Sequence, residues 1–177
     1  MSVKKGSSRD GLKNVKHILS NDEILLRLLY YLPKDAHNPA PLSDELENIL
    51  EMNGEEKWNI IEERIVIGEK TSNLEDIELC KVYISMGRRR PHLGNMLLVK
   101  QEIIVSINTH ENYSSDARLD WIKERINLLL LNKRVAGIGG LDLASGDPRV
   151  ASRQYQRYDM VFVYLESKGG GVNSGCC

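Results

Sequence analysis

Two runs of strict period-two alternation, separated by a short turn-rich segment, constrain this chain more than any other feature. In "ELCKVYISM" the residues Cys80, Val82, Ile84 and Met86 fall on one face, with Lys81, Tyr83 and Ser85 on the other. A half-buried β-strand has this pattern. In "KQEIIVSINTH" Ile103, Val105 and Ile107 face one way, and Ile104, Ser106 and Asn108 the other. The pair predicts antiparallel strands joined by the loop "GRRRPHLGN". An earlier run, "RIVIGEK", is short and β-branched and ends in Gly, so it predicts a further strand from about Glu63. "YDMVFVYLE" alternates as a last strand, whereas "VAGIGGLDLASGDPRVASRQ" begins β-like and becomes loop.

Helical periodicity occupies the remainder. Ser20 and Glu23 form an S-x-x-E capping box before "NDEILLRLLYYL", in which Ile24, Leu25, Leu28, Leu29 and Leu32 share a face until Pro33 ends the helix. Ser43 then opens a second short helix, "SDELENILEM". The strongest helix is "SSDARLDWIKERINLLLLNKR", with Ser114 or Ser115 as N-cap and Asp116 in the first turn. Its apolar stripe is Leu119, Ile122, Ile126, Leu129 and Leu130, and Lys133 and Arg134 suit its C-terminus. The expected fold is α+β: a mixed, mainly antiparallel sheet packed against one amphipathic helix, with an N-terminal helical extension. The divisions are a flexible lead at 1–19, the helical extension at 20–62, a core at 63–167 and a flexible tail at 168–177.

At 177 residues, 41% hydrophobic and 28% charged, the chain suits one principal domain. Its formal net charge of -1 argues against a generally basic nucleic-acid binder. No run approaches the roughly 20 apolar residues of a membrane-spanning helix, and "MSVKKGSSRDG" lacks a signal peptide's apolar stretch, so the expected site of assembly is the cytoplasm. Cys80 reads as core. Cys176 and Cys177 follow the glycine- and serine-rich "SKGGGVNSG" and form no disulfide or zinc framework with it.

Catalysis by general acid and base requires titratable groups that converge on a pocket. His92, His110 with Glu111, Asp142 and Asp147 are the available groups, and a polar pair at a strand end is the plainer reading of His110 and Glu111. The four histidines, His17, His37, His92 and His110, lack metal-ligand spacing. "GIGG" has neither the third glycine of a dinucleotide loop nor the Lys-Ser/Thr of a P-loop, and "ASG" is not a nucleophile elbow. No catalytic residue, cofactor or metal is expected. Arg88, Arg89 and Arg90 are the sharpest local feature. Being consecutive and extended before Pro91, at most two can face one surface. Without interleaved aromatic platforms they make a poor nucleic-acid site. A solvated loop or a protein interface is the better reading, and acidic residues between positions 44 and 63, including Asp44, Glu45 and Glu47, supply a partner of opposite sign across a ring of identical subunits.

The succession from "CKVYISMGRRRPHLGNMLLVKQEIIVSINTHENYSSDARLDWIKERINLLLLNKRVAGIG" to "YQRYDMVFVYLE" resembles the neck and tail-completion proteins of long-tailed bacteriophages, especially the tail terminator (head-tail joining) group. The resemblance covers about residues 75–166 and lies in hydrophobic pattern and element order. It implies a small α+β virion subunit without catalytic activity that forms a ring, typically hexameric, capping the tail tube and docking it to the head connector. DNA would pass through the lumen without specific binding. The adaptor and stopper proteins of the same neck also form rings. The N-terminal helical segment is longer than the compact form of the group requires.

Overall fold

The computed structural model describes residues 8–68, 79–150 and 153–168. The first element is already a departure from the sequence reading, since helix α1 spans Ser8–Ser20 where a flexible lead is expected. Val15 and Leu19, four apart on one face, are fully buried, with Leu12 and Ile18 packed beside them. Ser20 therefore closes a helix instead of opening one. The next helix, α2 (Glu23–Tyr30), is capped by Asp22, whose carboxylate accepts from the Leu25 backbone N–H at 2.8 Å. Asp22 also takes a two-pronged bond from Arg125, at 2.9 and 2.6 Å, so the cap is tied to a distant helix. That bond raises the Arg125 pKa above its already high ordinary value.

The helix expected from Ser43 does not form there, because the Ser43 hydroxyl accepts from the Glu45 N–H in a local turn. Asn48 caps a 3₁₀ turn at Ile49–Glu51 instead, and Asn53 caps helix α3 (Gly54–Arg64) by accepting from Glu56 N–H at 2.9 Å. The strongest expected helix also starts late. Residues Glu111–Asp116 form a 3₁₀ helix, Ala117 turns left-handed at φ 54°, and helix α4 follows at Arg118–Leu130. Its expected stripe holds: Ile122, Ile126 and Leu130 are fully buried, and Leu119 and Leu129 pack partly against the core.

Among the described residues five strands form one sheet in the order β1-β2-β3-β5-β4. They are β1 (Ile65–Ile67), β2 (Lys81–Pro91), β3 (Leu98–His110), β4 (Ile138–Val150) and β5 (Tyr155–Ser167). Only β1 and β2 are parallel; every other neighbour pair is antiparallel. The expected mixed, mainly antiparallel α+β architecture is the observed one. The segment around "LDLASGDPR", expected as loop, is part of β4. It pairs along β5 with two register shifts, and Pro148 is tolerated because β4 is an edge strand.

One face of the sheet carries Val82 and Ile84 of β2, Ile103, Val105 and Ile107 of β3, and Met160 and Phe162 of β5, all buried under the helices. The same core takes in Leu25, Leu26, Leu28 and Leu29 of α2 and Ile60 and Ile61 of α3. The N-terminal helices pack into the same core as the sheet. Several helices, not one, cover the sheet. Arg118 fastens two of them. Its fully buried guanidinium donates to the carbonyls of Leu28 (2.5 Å) and Tyr31 (2.8 Å) at the end of α2, and to Asp116 at 3.1 and 2.7 Å. It thereby satisfies carbonyls that a helix terminus leaves without partners. Cys80 is buried as expected, whereas Cys176 and Cys177 lie outside the described residues.

Candidate functional site

The three arginines lie within β2 and not in a loop; the hairpin turn itself is residues 92–97. A bulge explains their aim. Met86 pairs with Ile103 and Arg89 with Gln101, so Gly87 and Arg88 together oppose Glu102. Glycine is required at position 87, since a Cβ there would lie 2.7 Å from the Glu102 Cβ. Beyond the bulge Arg89 follows Gln101 onto the helix-covered side, and Arg90 follows Lys100 onto the bare side. Arg89 pairs with Glu166 at 3.2 Å and Arg90 with Glu102 at 3.7 Å, while the Arg88 N–H donates to Glu102 at 3.0 Å. All three side chains remain exposed.

The turn between the strands holds a feature that the sequence reading passed over. Leu93 is fully exposed, Met96 85% exposed and Leu97 74% exposed. Three large apolar side chains therefore stand at the end of a hairpin whose flanks are cationic. The signal was present in "HLGNML", where apolar residues interrupt a Gly- and Asn-bearing turn. The Asn95 carboxamide, accepting from Leu97 N–H at 2.9 Å, and His92 Nδ1, accepting from Gly94 N–H at 3.1 Å, fix the turn.

Asp44, Glu45 and Glu47 are exposed on the connection between α2 and α3. Within one chain they are not the arginines' partners, which are Glu102 and Glu166. This connection is held down by Arg27, which donates to the Leu46 carbonyl, and by the Tyr31 hydroxyl, which donates to the Glu47 carbonyl at 2.8 Å. It adjoins an open groove of about 610 Å³ along α3, floored by Tyr30 and Ile60 and rimmed by Glu55, Glu56 and Glu63. Burial raises the Tyr31 phenol pKa, Arg27 opposes that, and Glu47 and Glu56 add to it. Glu47 of the connection and Glu56 of the groove rim thus both act on this phenol. Arg64, at 3.4 Å, offsets Glu63.

The acid/base pair is arranged for structure. His110 is buried against Tyr155 with ring centroids 5.1 Å apart, and its Nδ1 accepts from Asn112 N–H at 3.3 Å to cap the 3₁₀ helix. Glu111 is exposed. His92 and Asp142 do share a cleft of about 320 Å³ on the bare side of the sheet, with Lys100 and Ile138. Among the described residues no group of three His, Cys, Asp or Glu side chains is placed to hold a metal ion, and no helix is long and apolar enough to cross a membrane. The "GIGG" glycines serve backbone geometry, with Gly137 at φ 59° just before β4 and Gly139 at φ 81° in its first residues.

Among solved structures, this fold is similar to that of a chain in the virion of native gene transfer agent (GTA) particle. The TM-score is 0.50 at 13% sequence identity, with 88% of this chain and 93% of that chain covered. No curated protein matches the sequence. A family model, however, matches residues 22–164, which reach from the cap of α2 into the last strand; the chain belongs to the YomW family.

Proposed function

We propose that this chain is a structural subunit of a phage-type virion and that it forms a ring at the neck, where the tail tube ends and the head connector begins. The observation that carries the reading is the likeness of fold to a chain of the gene transfer agent virion, which extends over 88% of this chain. Membership of the phage-related YomW family points the same way. Its partners would be copies of itself, six in a closed ring, together with connector or adaptor proteins on one side and the tube protein on the other. DNA would pass through the lumen without sequence-specific contacts, in keeping with a formal net charge of -1. The molecule's surface suits assembly. Toward the hairpin, the side of the sheet that carries Lys100, Glu102 and Ile104 is exposed or half-buried, and β4 is a 13-residue edge strand. Both are surfaces that proteins ordinarily cover or pair.

The succession of hairpin, amphipathic helix and closing strands supports the terminator position. Electron microscopy of particles labelled at this chain tests it. Label at the head-tail junction, with rings formed by the purified chain, is the expected result. Label on the capsid shell or along the tail would refute the neck, and label confined to the connector side would favour an adaptor or stopper.

A further inference from the structure

Three exposed apolar side chains on a projecting turn are unusual for a chain that stays alone in water, and such patches mark sites of association. The hairpin bearing Leu93, Met96 and Leu97 is cationic: Arg88, Arg89, Arg90 and Lys100 stand against two carboxylates, Glu102 and Glu166. The α3 groove has the opposite character, with Glu55 and Glu56 on its rim and Tyr30 and Ile60 beneath. Polarity and charge of the two surfaces are complementary at Glu55 and Glu56, while the buried Arg64 guanidinium, 5.6 Å from the Tyr30 ring centroid, is already matched by Glu63.

The hairpin cannot reach the groove of its own chain. Arg64 at the end of α3 bonds the Cys80 carbonyl at the start of β2, at 3.4 Å, and Val82 pairs with Ile65 directly after α3. From Val82 to Pro91 the strand advances roughly 30 Å. The 11 residues of α3 cover only about 16 Å even if laid along that strand. The turn then projects farther still.

We infer that the β2–β3 turn of one copy seats in the α3 groove of a second copy, with Leu93, Met96 and Leu97 against Tyr30 and Ile60 and the hairpin arginines facing Glu55 and Glu56. The inference rests on the ring reading above and names its contact. Because donor and acceptor surfaces differ, the contact is heterologous, and its repetition closes into a ring when the rotation allows. Glu166 and Glu102 keep only 18% and 16% of their side chains in water, so Arg89 and Arg90 stay paired with them and meet the neighbour's carboxylates through their exposed halves.

The test uses the full chain in sedimentation velocity and native mass measurement. One variant loses the turn (Leu93→Asp with Met96→Asp) and a second loses the groove (Glu55→Arg with Glu56→Arg). Each alone should be monomeric. Mixed in equal amounts they should form a one-to-one dimer and nothing larger, because each retains the half that the other lacks. A benzophenone side chain introduced at position 96 of the otherwise unaltered chain should crosslink to a peptide containing Tyr30 or Ile60 of another copy. This arm holds even where a charge variant fails to fold. Rings from either variant alone, a mixture that stays monomeric, or crosslinks elsewhere overturn the contact and leave the ring standing. A wild-type chain that stays monomeric at all concentrations overturns both.

Discussion

Replacing Arg118 with methionine removes the guanidinium that joins the end of α2 to the start of α4 while filling similar apolar volume. The loss follows from its contacts. Two carbonyls, of Leu28 and Tyr31, lose charge-assisted donors, and Asp116 loses its counter-ion. Hydrogen bonds to a charged group contribute about 1.5 to 3 kcal/mol each, and breaking a buried pair costs about 3 to 5 kcal/mol. Asp116 keeps 26% of its side chain in water, so the lower end applies, about 3 kcal/mol. The cation over the Tyr113 ring, 5.1 Å from its centroid, adds up to about 1 kcal/mol. With a urea slope near 2 kcal/mol per molar, the unfolding midpoint should fall by about 1.5 to 2 M at unchanged slope. Protein concentration is held fixed, because assembly would itself stabilise the fold. Lysine at the same position retains charge without the fork and should recover less than half of the loss. Adding Asp116→Asn to the methionine variant should restore about 1 kcal/mol by removing an uncompensated carboxylate. A midpoint shift below about 0.5 M, or no recovery in the double variant, would refute the account of Arg118 as the clasp between the two helices.

Two further perturbations probe the sheet and the core. Gly137→Ala meets both a left-handed φ of 59° and the Leu165 carbonyl and Tyr164 ring, whereas Gly139→Ala at φ 81° has open space around it. The second should cost only the backbone term, about 1 kcal/mol, and the first at least twice that. Calorimetric melting temperatures that fall equally would contradict the packing described for the start of β4. Burial pushes the Cys80 thiol up to about 12, only partly opposed by Arg118 and Arg64. The folded pKa is raised, so this contribution to stability is complete below pH 9, the ordinary thiol value, and is lost as pH rises toward 12. Tyr31 and Tyr83, also raised by burial, act in the same direction at higher pH. Denaturation across pH 8 to 11 should show a shallower decline for Cys80→Ala than for the wild type; parallel curves would mean that the thiol is not where the structure puts it.

The strands and α4 were legible because burial imposes a period on the residues that pay it heed: Val82 and Ile84, Ile103 to Ile107 on alternate positions, and Ile122, Ile126 and Leu130 all lie where their spacing puts them. Other features obey no such period. α1 contains Gly11 and opens with polar residues, so its two buried large apolar side chains, Val15 and Leu19, are too few to announce a helix; a Cβ at Gly11 would lie a tight 3.1 Å from that of Ala136. β4 is polar and Gly-rich and is a strand only because β5 offers a 13-residue partner, a non-local fact that no local propensity encodes. Arg118 looked like one more charged residue of an amphipathic helix, since nothing in its neighbourhood names carbonyls that lie nearly ninety positions earlier.

The arginines illustrate the same limit at the surface. Their charge was visible, but which of them faces the helices is set by the bulge at Gly87, which puts Arg89 on that side and Arg90 on the other and depends on the β3 register. Seen in place, they flank an apolar turn, and that changes the chemistry of the proposed contact. Arginines alone would give an association that salt screens within about 10 Å at 0.1 M, whereas an apolar anchor at the turn persists when charge is screened. Raising the salt to 1 M should therefore slow assembly while leaving most formed rings intact, and rings that dissolve in proportion to ionic strength would show that charge, and not the turn, holds the copies together.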